Sequence, residues 1–144
     1  MSNVQAFCSS FMVDALDAVH DLSVDTIKAA LYRTTASLGA GTNQYTTSGE
    51  VVGLNYVPGG VVVATANPPL SSGKTTYWTP SANIVYSGVT LAVQFNAVML
   101  YNASKLNKTL GIWTFTACVV NSSTFTLRMP ANSAAAALLR WKSQ

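Results

Sequence analysis

Beyond Asp25 the chain is a succession of short Val, Thr and Tyr-rich stretches, each interrupted after a few residues by Gly, Pro, Asn or Ser. β-Branched and aromatic residues suit a pleated, half-buried surface and the interrupting residues form turns, so this texture restricts the fold to an all-β sandwich or barrel. Strands are expected over 26–33, 50–53, 60–66, 75–79, 89–95, 97–101, 109–119 and 124–129. Within 89–95, Val89, Leu91, Val93 and Phe95 alternate with Thr90, Ala92 and Gln94, the pattern of a strand with one buried face. Pro58-Gly59-Gly60, Ser72-Gly73-Lys74 and Asn121-Ser122-Ser123 read as turns, the last closing a core hairpin over 112–129. Segment 26–33 is read as strand, although Lys28, Ala29, Ala30 and Leu31 favour helix on propensity alone. Segment 133–141, with four consecutive Ala ahead of Leu138-Leu139-Arg140-Trp141, fits either a terminal helix or a last edge strand.

The residues in front of Asp25 have a different period. Val4, Phe7, Phe11, Ala15 and Ala18 recur at three and four, with Cys8, Met12 and Val19 beside them, which predicts a helix over 2–20 capped by Ser2 or Asn3. Asp14, Asp17 and Asp21 line one face of its second half. Acids near a helix C-terminus oppose the macrodipole at about 0.3–1 kcal/mol each, so helix stability does not explain them and an external cation would. The expected organisation is one domain over 1–144. An N-terminal helix lies within 1–22, and 25–144 forms an antiparallel β-sandwich or a jelly-roll-like barrel. A chain of 144 residues buries roughly 68–70% of its unfolded surface and needs no staple.

Charge is sparse and segregated. Residues 1–25 carry −4, and residues 26–144 carry eight bases and one acid, or +7. From 51 to 144 there is no Asp or Glu. Paired-carboxylate hydrolysis, carboxylate-held Mg²⁺ or Ca²⁺ and an Asp-oriented catalytic His all need acids there, so the chain is expected not to be an enzyme and to hold no metal or cofactor. His20, the one histidine, lies between Asp17 and Asp21 and is read as a surface capping group. Gly39-Ala40-Gly41 and Pro58-Gly59-Gly60 lack the Lys and following helix of a phosphate loop. The bases are scattered, which argues against specific nucleic-acid binding. Cys8 and Cys118 are read as buried free thiols, and Asn102, Asn107 and Asn121 as turn residues. No apolar run approaches a membrane span, and the start carries no basic signal region, so synthesis in the cytoplasm is expected.

With only 9% charged residues the surface must be neutral and polar or covered by partners, which favours an assembled protein over a free monomer. The candidate interface residues are Phe7 and Phe11 with Asp14, Asp17 and Asp21 on the helix, Lys105 and Lys108, and Arg140 with Trp141. Tyr77 and Trp78, beside Pro80 in a loop-rich stretch, are the pair expected to be exposed. Such aromatic faces also suit a sugar, as on a lectin-like sandwich.

Asp25-Thr-Ile-Lys-Ala-Ala-Leu-Tyr32, Ser37-Leu-Gly39, Tyr45-Thr-Thr-Ser-Gly-Glu-Val-Val-Gly53 and Tyr56-Val-Pro-Gly-Gly-Val61 resemble a family of small tailed-bacteriophage virion structural proteins. The likeness continues through Leu100-Tyr-Asn-Ala-Ser-Lys-Leu-Asn-Lys108 and Phe125-Thr-Leu-Arg-Met-Pro130, covering most of the chain after Asp25. It implies a non-enzymatic head decoration or cement protein, a β-sandwich that clamps the major capsid protein and forms a homo-oligomer (dimer or trimer) in the virion. A tail or neck component, or a carbohydrate-binding module of the adsorption apparatus, are the alternatives.

Overall fold

The computed structural model describes residues 2–143. In chain order its elements are β1 (Ala6–Phe7), α1 (Ser9–Leu16), β2 (Ile27–Arg33), β3 (Val61–Val62), β4 (Leu70–Ser72), β5 (Thr75–Trp78), β6 (Ile84–Asn102), β7 (Lys108–Leu127) and β8 (Leu139–Lys142). They form two antiparallel sheets, ordered β1-β7-β6-β2-β3 and β4-β5-β8. The protein is therefore mainly β with one short helix, in an arrangement compatible with a β-sandwich. Both sheets are open among the described residues, so the jelly-roll-like barrel is not formed.

The helix expected over 2–20 contracts to the eight residues of α1. Val4 N–H donates to the Leu38 carbonyl at 2.8 Å, and Ala6 and Phe7 pair with Ile112 and Gly111 on β7. Those backbone groups satisfy a sheet edge that would otherwise face solvent, and this long-range pairing overrides the local helical period. Asn3 does not cap; its amide donates to the Arg33 carbonyl and to Asn96 Oδ1 at 3.0 and 2.8 Å. The helix starts after Cys8 without a side-chain cap and stops at Asp17, followed by Ala18 at φ 56°.

β6 and β7 merge the four strands expected between 89 and 129 into one long hairpin, turned at 103–107 with Leu106 and Asn107 at φ 55° and 58°. Asn121-Ser122-Ser123 is not a turn. It is an irregularity inside β7, with Ser122 at φ 46° and its N–H bonded to Thr90 Oγ1 across the pair. Turn-forming residues also make bulges, and only the partner strand distinguishes the two. The hairpin is bent back on itself. Phe115 and Phe125 are ten residues apart on β7, which a straight strand would separate by about 33 Å, yet their ring centroids are 5.6 Å apart. Both rings pack on Phe95, and register breaks between Leu91, Phe95 and Ala97 make the corner. The folded hairpin thus encloses part of its own core.

β2 is buried along most of its length, which explains its run of Ile27, Ala29, Ala30 and Leu31 without polar alternation. Its outer edge is followed by residues 50–63: Glu50 bridges Tyr32, Val51 N–H donates to Leu31 O, and β3 pairs with Lys28 and Ala29. The strands expected at 50–53 and 60–66 survive only as these contacts. Gly60, at φ 77°, sits so close to β2 that a Cβ would lie 1.7 Å from the Ala29 carbonyl oxygen. The tail resolves as the edge strand β8, paired with β5.

Candidate functional site

Between α1 and the three-stranded sheet lies a cleft of about 350 Å³. Seven of the residues picked out in the sequence line it: Phe7 and Phe11 from the N-terminal side, Asp21 beyond the helix, and Tyr77, Trp78, Arg140 and Trp141 from β5 and β8. The pairing of β5 with β8, which sets Tyr77 opposite Arg140 and Thr76 opposite Trp141, brings the sheet residues together. Trp78 corrects the expectation of an exposed pair. It is buried, and its indole N–H is committed to the Asn67 carbonyl at 2.9 Å. Tyr77 is half-buried, and Trp141 is the exposed aromatic, its ring 5.9 Å from Phe11.

Phe11 connects this cleft to an ionic network, because its other neighbour is the His20 ring at 5.2 Å. His20 is not a surface cap; its side chain is 2% exposed. Asn102 Nδ2 donates to Asp25 Oδ2 at 2.6 Å and contacts His20 Nδ1 at 3.0 Å, while Asn102 Oδ1 accepts the Ser104 N–H, which fixes the orientation of the amide. Nδ1 is therefore the acceptor, and the ring proton is on Nε2, 3.7 Å from Asp14 Oδ2. Burial lowers the His20 pKa, against the opposing pull of Asp14 and Asp25. Lys108 donates to Asp14 Oδ1 at 2.7 Å, and Lys105 lies 3.8 Å from Asp25 Oδ1.

The acidic N-terminal segment thus meets bases of its own chain at the β6–β7 tip. Asp14, Lys105 and Lys108 belong to this network, whereas Asp17 is exposed with no ion pair among the described residues. Asp21 is exposed too; its carboxylate accepts from Ser23, and those hydrogen bonds hold its pKa below the usual range.

Glu50, the one acid of the β body, is buried beneath the segment that follows β2. Oε2 accepts from Tyr45 at 2.6 Å, and Oε1 accepts from Tyr56 at 2.8 Å and from the Gly59 N–H at 2.7 Å. Tyr56 accepts the Leu31 N–H, so its single proton is directed to Glu50. Tyr101 donates to the Gly59 carbonyl. Sequence reasoning singled out neither Glu50 nor Asn102 as a structural hub; the available signal was a lone carboxylate among tyrosines.

Burial pushes the Cys8 thiol up to about 11 and raises Cys118 as well, the opposite of activation. No group of three His, Cys, Asp or Glu side chains able to hold a metal ion occurs among the described residues. Among the described residues no helix is long and apolar enough to cross a membrane. The arrangement suits recognition: an aromatic cleft with Arg140 and Asp21 among its lining, and a separate group of exposed apolar side chains. Val52, Leu54, Val57 and Val62, in the segment that leads from β2 to β3, are 84%, 67%, 68% and 65% exposed; Val62 pairs with Lys28 on β2, whereas Leu54 bridges Thr90 on β6. A scan of protein-family models, a search of curated proteins and a search of solved structures each found no match to this chain.

Proposed function

We propose that this protein is a non-enzymatic structural component of a tailed-phage virion, a cement or decoration protein that docks on the major capsid protein and stabilises the head. The observation that carries the reading is the group Val52, Leu54, Val57 and Val62, four large exposed apolar side chains within eleven residues that contain no charge. Exposed apolar groups of this kind mark surfaces that a partner covers, and Lys28, cross-strand from Val62, places a charge beside them. The resemblance of residues 25–130 to phage virion proteins supplies the kind of partner.

Cryo-electron microscopy of purified particles tests it. Density for this fold between capsomers supports cementing, and density confined to the tail or neck moves the protein there. A Leu54→Asp substitution is expected to abolish binding to shells assembled without the protein while leaving the circular dichroism unchanged.

The aromatic cleft favours one second reading, a carbohydrate-binding module. Binding on a glycan array that disappears with Trp141→Ala would support that reading in place of the first, and Trp141 replaces the buried Trp78 as the residue to test.

A further inference from the structure

Among the described residues, one edge of the five-stranded sheet is unpaired over most of its length. β1 covers only Gly111 and Ile112 of β7, and the Gln5 side chain accepts the next outward N–H, that of Thr114, at 3.1 Å. From there to Leu127, β7 pairs with β6 alone among the described residues. These residues, Thr-Phe-Thr-Ala-Cys-Val-Val-Asn-Ser-Ser-Thr-Phe-Thr-Leu, contain no charge, no Pro and no Gly. Thr116, Ala117, Val119 and Thr124 are exposed along it. Monomeric proteins blunt such edges with Lys, Pro or a covering loop, because unpaired N–H and C=O groups template another strand.

We infer that the 114–127 edge of β7 is the seam on which a second copy of this chain pairs, strand to antiparallel strand about a two-fold axis. Two features select a copy over a foreign strand. The first is shape: the edge is coiled by the Phe115 to Phe125 fold-back and broken by the bulge at Ser122, so a straight strand follows it poorly, whereas its two-fold mate brings the same coil and bulge. The second is charge. Residues 114–127 carry no charged side chain, so a mate brings no like charge onto the seam, and antiparallel pairing sends the two Arg128 residues to its opposite ends. β3, with Val62, stands at the opposite edge of the sheet, so self-pairing on β7 leaves it free. The inference does not depend on the proposed function.

Sedimentation equilibrium of the full chain over a wide concentration range is the test, with Thr116→Lys and Thr124→Lys as edge variants and Val62→Lys as the control at the other edge. Expected are a wild-type dimer, a dissociation constant raised at least about tenfold in each edge variant, and an unchanged control. Circular dichroism spectra should match in all four, and backbone amides of 114–127 should gain hydrogen-exchange protection as concentration rises. A wild type that stays monomeric, edge variants that stay dimeric with native spectra, or a dimer whose 114–127 amides exchange freely would each overturn it. If the variants lose native spectra, the exchange measurement on the wild type alone decides.

Discussion

Lys108 at the start of β7 donates to Asp14 Oδ1 on α1 across 2.7 Å, a contact between residues 94 positions apart that pins the helix to the tip of the long hairpin. Asp14 is buried and the Lys108 side chain is one-third exposed, so the bond is largely sheltered. Asp14 Oδ2 has no hydrogen-bond partner, which leaves Lys108 as the main compensation for this carboxylate. Replacing Lys108 by Met should lower unfolding free energy by about 1–3 kcal/mol, the cost of an orphaned buried group. Asp17→Asn, on an exposed neighbour, should stay within about 0.5 kcal/mol. Urea titrations of both variants decide; equal effects would mean that the Asp14 contact contributes nothing.

Acid should loosen the same region through His20. Its neutral ring accepts from Asn102 at Nδ1, and a proton there would face the Asn102 NH₂ donor-to-donor. Burial lowers its pKa in the folded state below the ordinary 6.5, so in the window beneath 6.5 the unfolded chain binds a proton that the folded chain refuses. Stability is therefore full above 6.5 and falls as the pH drops through that window. His20→Gln should flatten the dependence of the urea midpoint between neutral and mildly acidic pH. A variant that keeps the wild-type slope would place the acid sensitivity elsewhere.

The hairpin strands were legible where large apolar residues alternate with small or polar ones, as in 89–95, whereas β2, buried along most of its length, had to be read as strand against its helical propensity. The features that failed are those set by distant partners. Phe7 fits the helical series Val4, Phe7, Phe11, but the edge of β7 at Gly111 claims its backbone. Asn121-Ser122-Ser123 has turn composition, and Thr90 on the facing strand makes it a bulge. His20 looks like a surface residue until Asn102, 82 residues on, is brought beside it. The cleft was half legible: its aromatic and charged residues stood out by type, but which of Trp78 and Trp141 faces outward depends on packing around β5 and β8.

Gly60 separates steric clash from backbone preference. Gly60→Ala puts a Cβ 1.7 Å from the Ala29 carbonyl oxygen at φ 77°, so β3 must leave β2. A loss of at least about 3 kcal/mol is expected. Gly73→Ala, at φ 57° with nothing within 4 Å, meets only the left-handed backbone penalty and should cost about 1–2 kcal/mol. Comparable losses in thermal melts of the two variants would mean that the close approach to Ala29 carries no weight.

Alkali should unfold the protein through its tyrosines. Burial raises the pKa of Tyr101 to about 12 and moves Tyr32, Tyr45, Tyr56 and Tyr86 further up, with the Glu50 charge adding to each. Above the ordinary value of 10 the unfolded chain releases protons that the folded chain retains, so stability falls as pH rises past 10. Phenolate absorbance from these five should appear together with loss of the circular dichroism signal. Ionisation of all five ahead of unfolding would show that they are reached by solvent in the native fold.

Glu50 is where these tyrosines converge, and its replacement tests whether the carboxylate organises the region or merely occupies it. In Glu50→Gln one acceptor oxygen becomes an NH₂ that confronts either the Tyr45 hydroxyl or the paired donors Tyr56 and Gly59. Tyr45 can rotate its proton away, so that orientation leaves one donor unmatched, at roughly 1–3 kcal/mol. In Tyr56→Phe the Leu31 N–H loses its acceptor and Glu50 loses a donor, which predicts a loss at least as large. Both changes act on the hydrogen bonds of one carboxyl group, so the double variant should depart from the sum of the singles, as expected for residues in one network. Strict additivity in urea titrations would mean that Tyr56 supports β2 through Leu31 alone and that Glu50 depends on Tyr45 and Gly59.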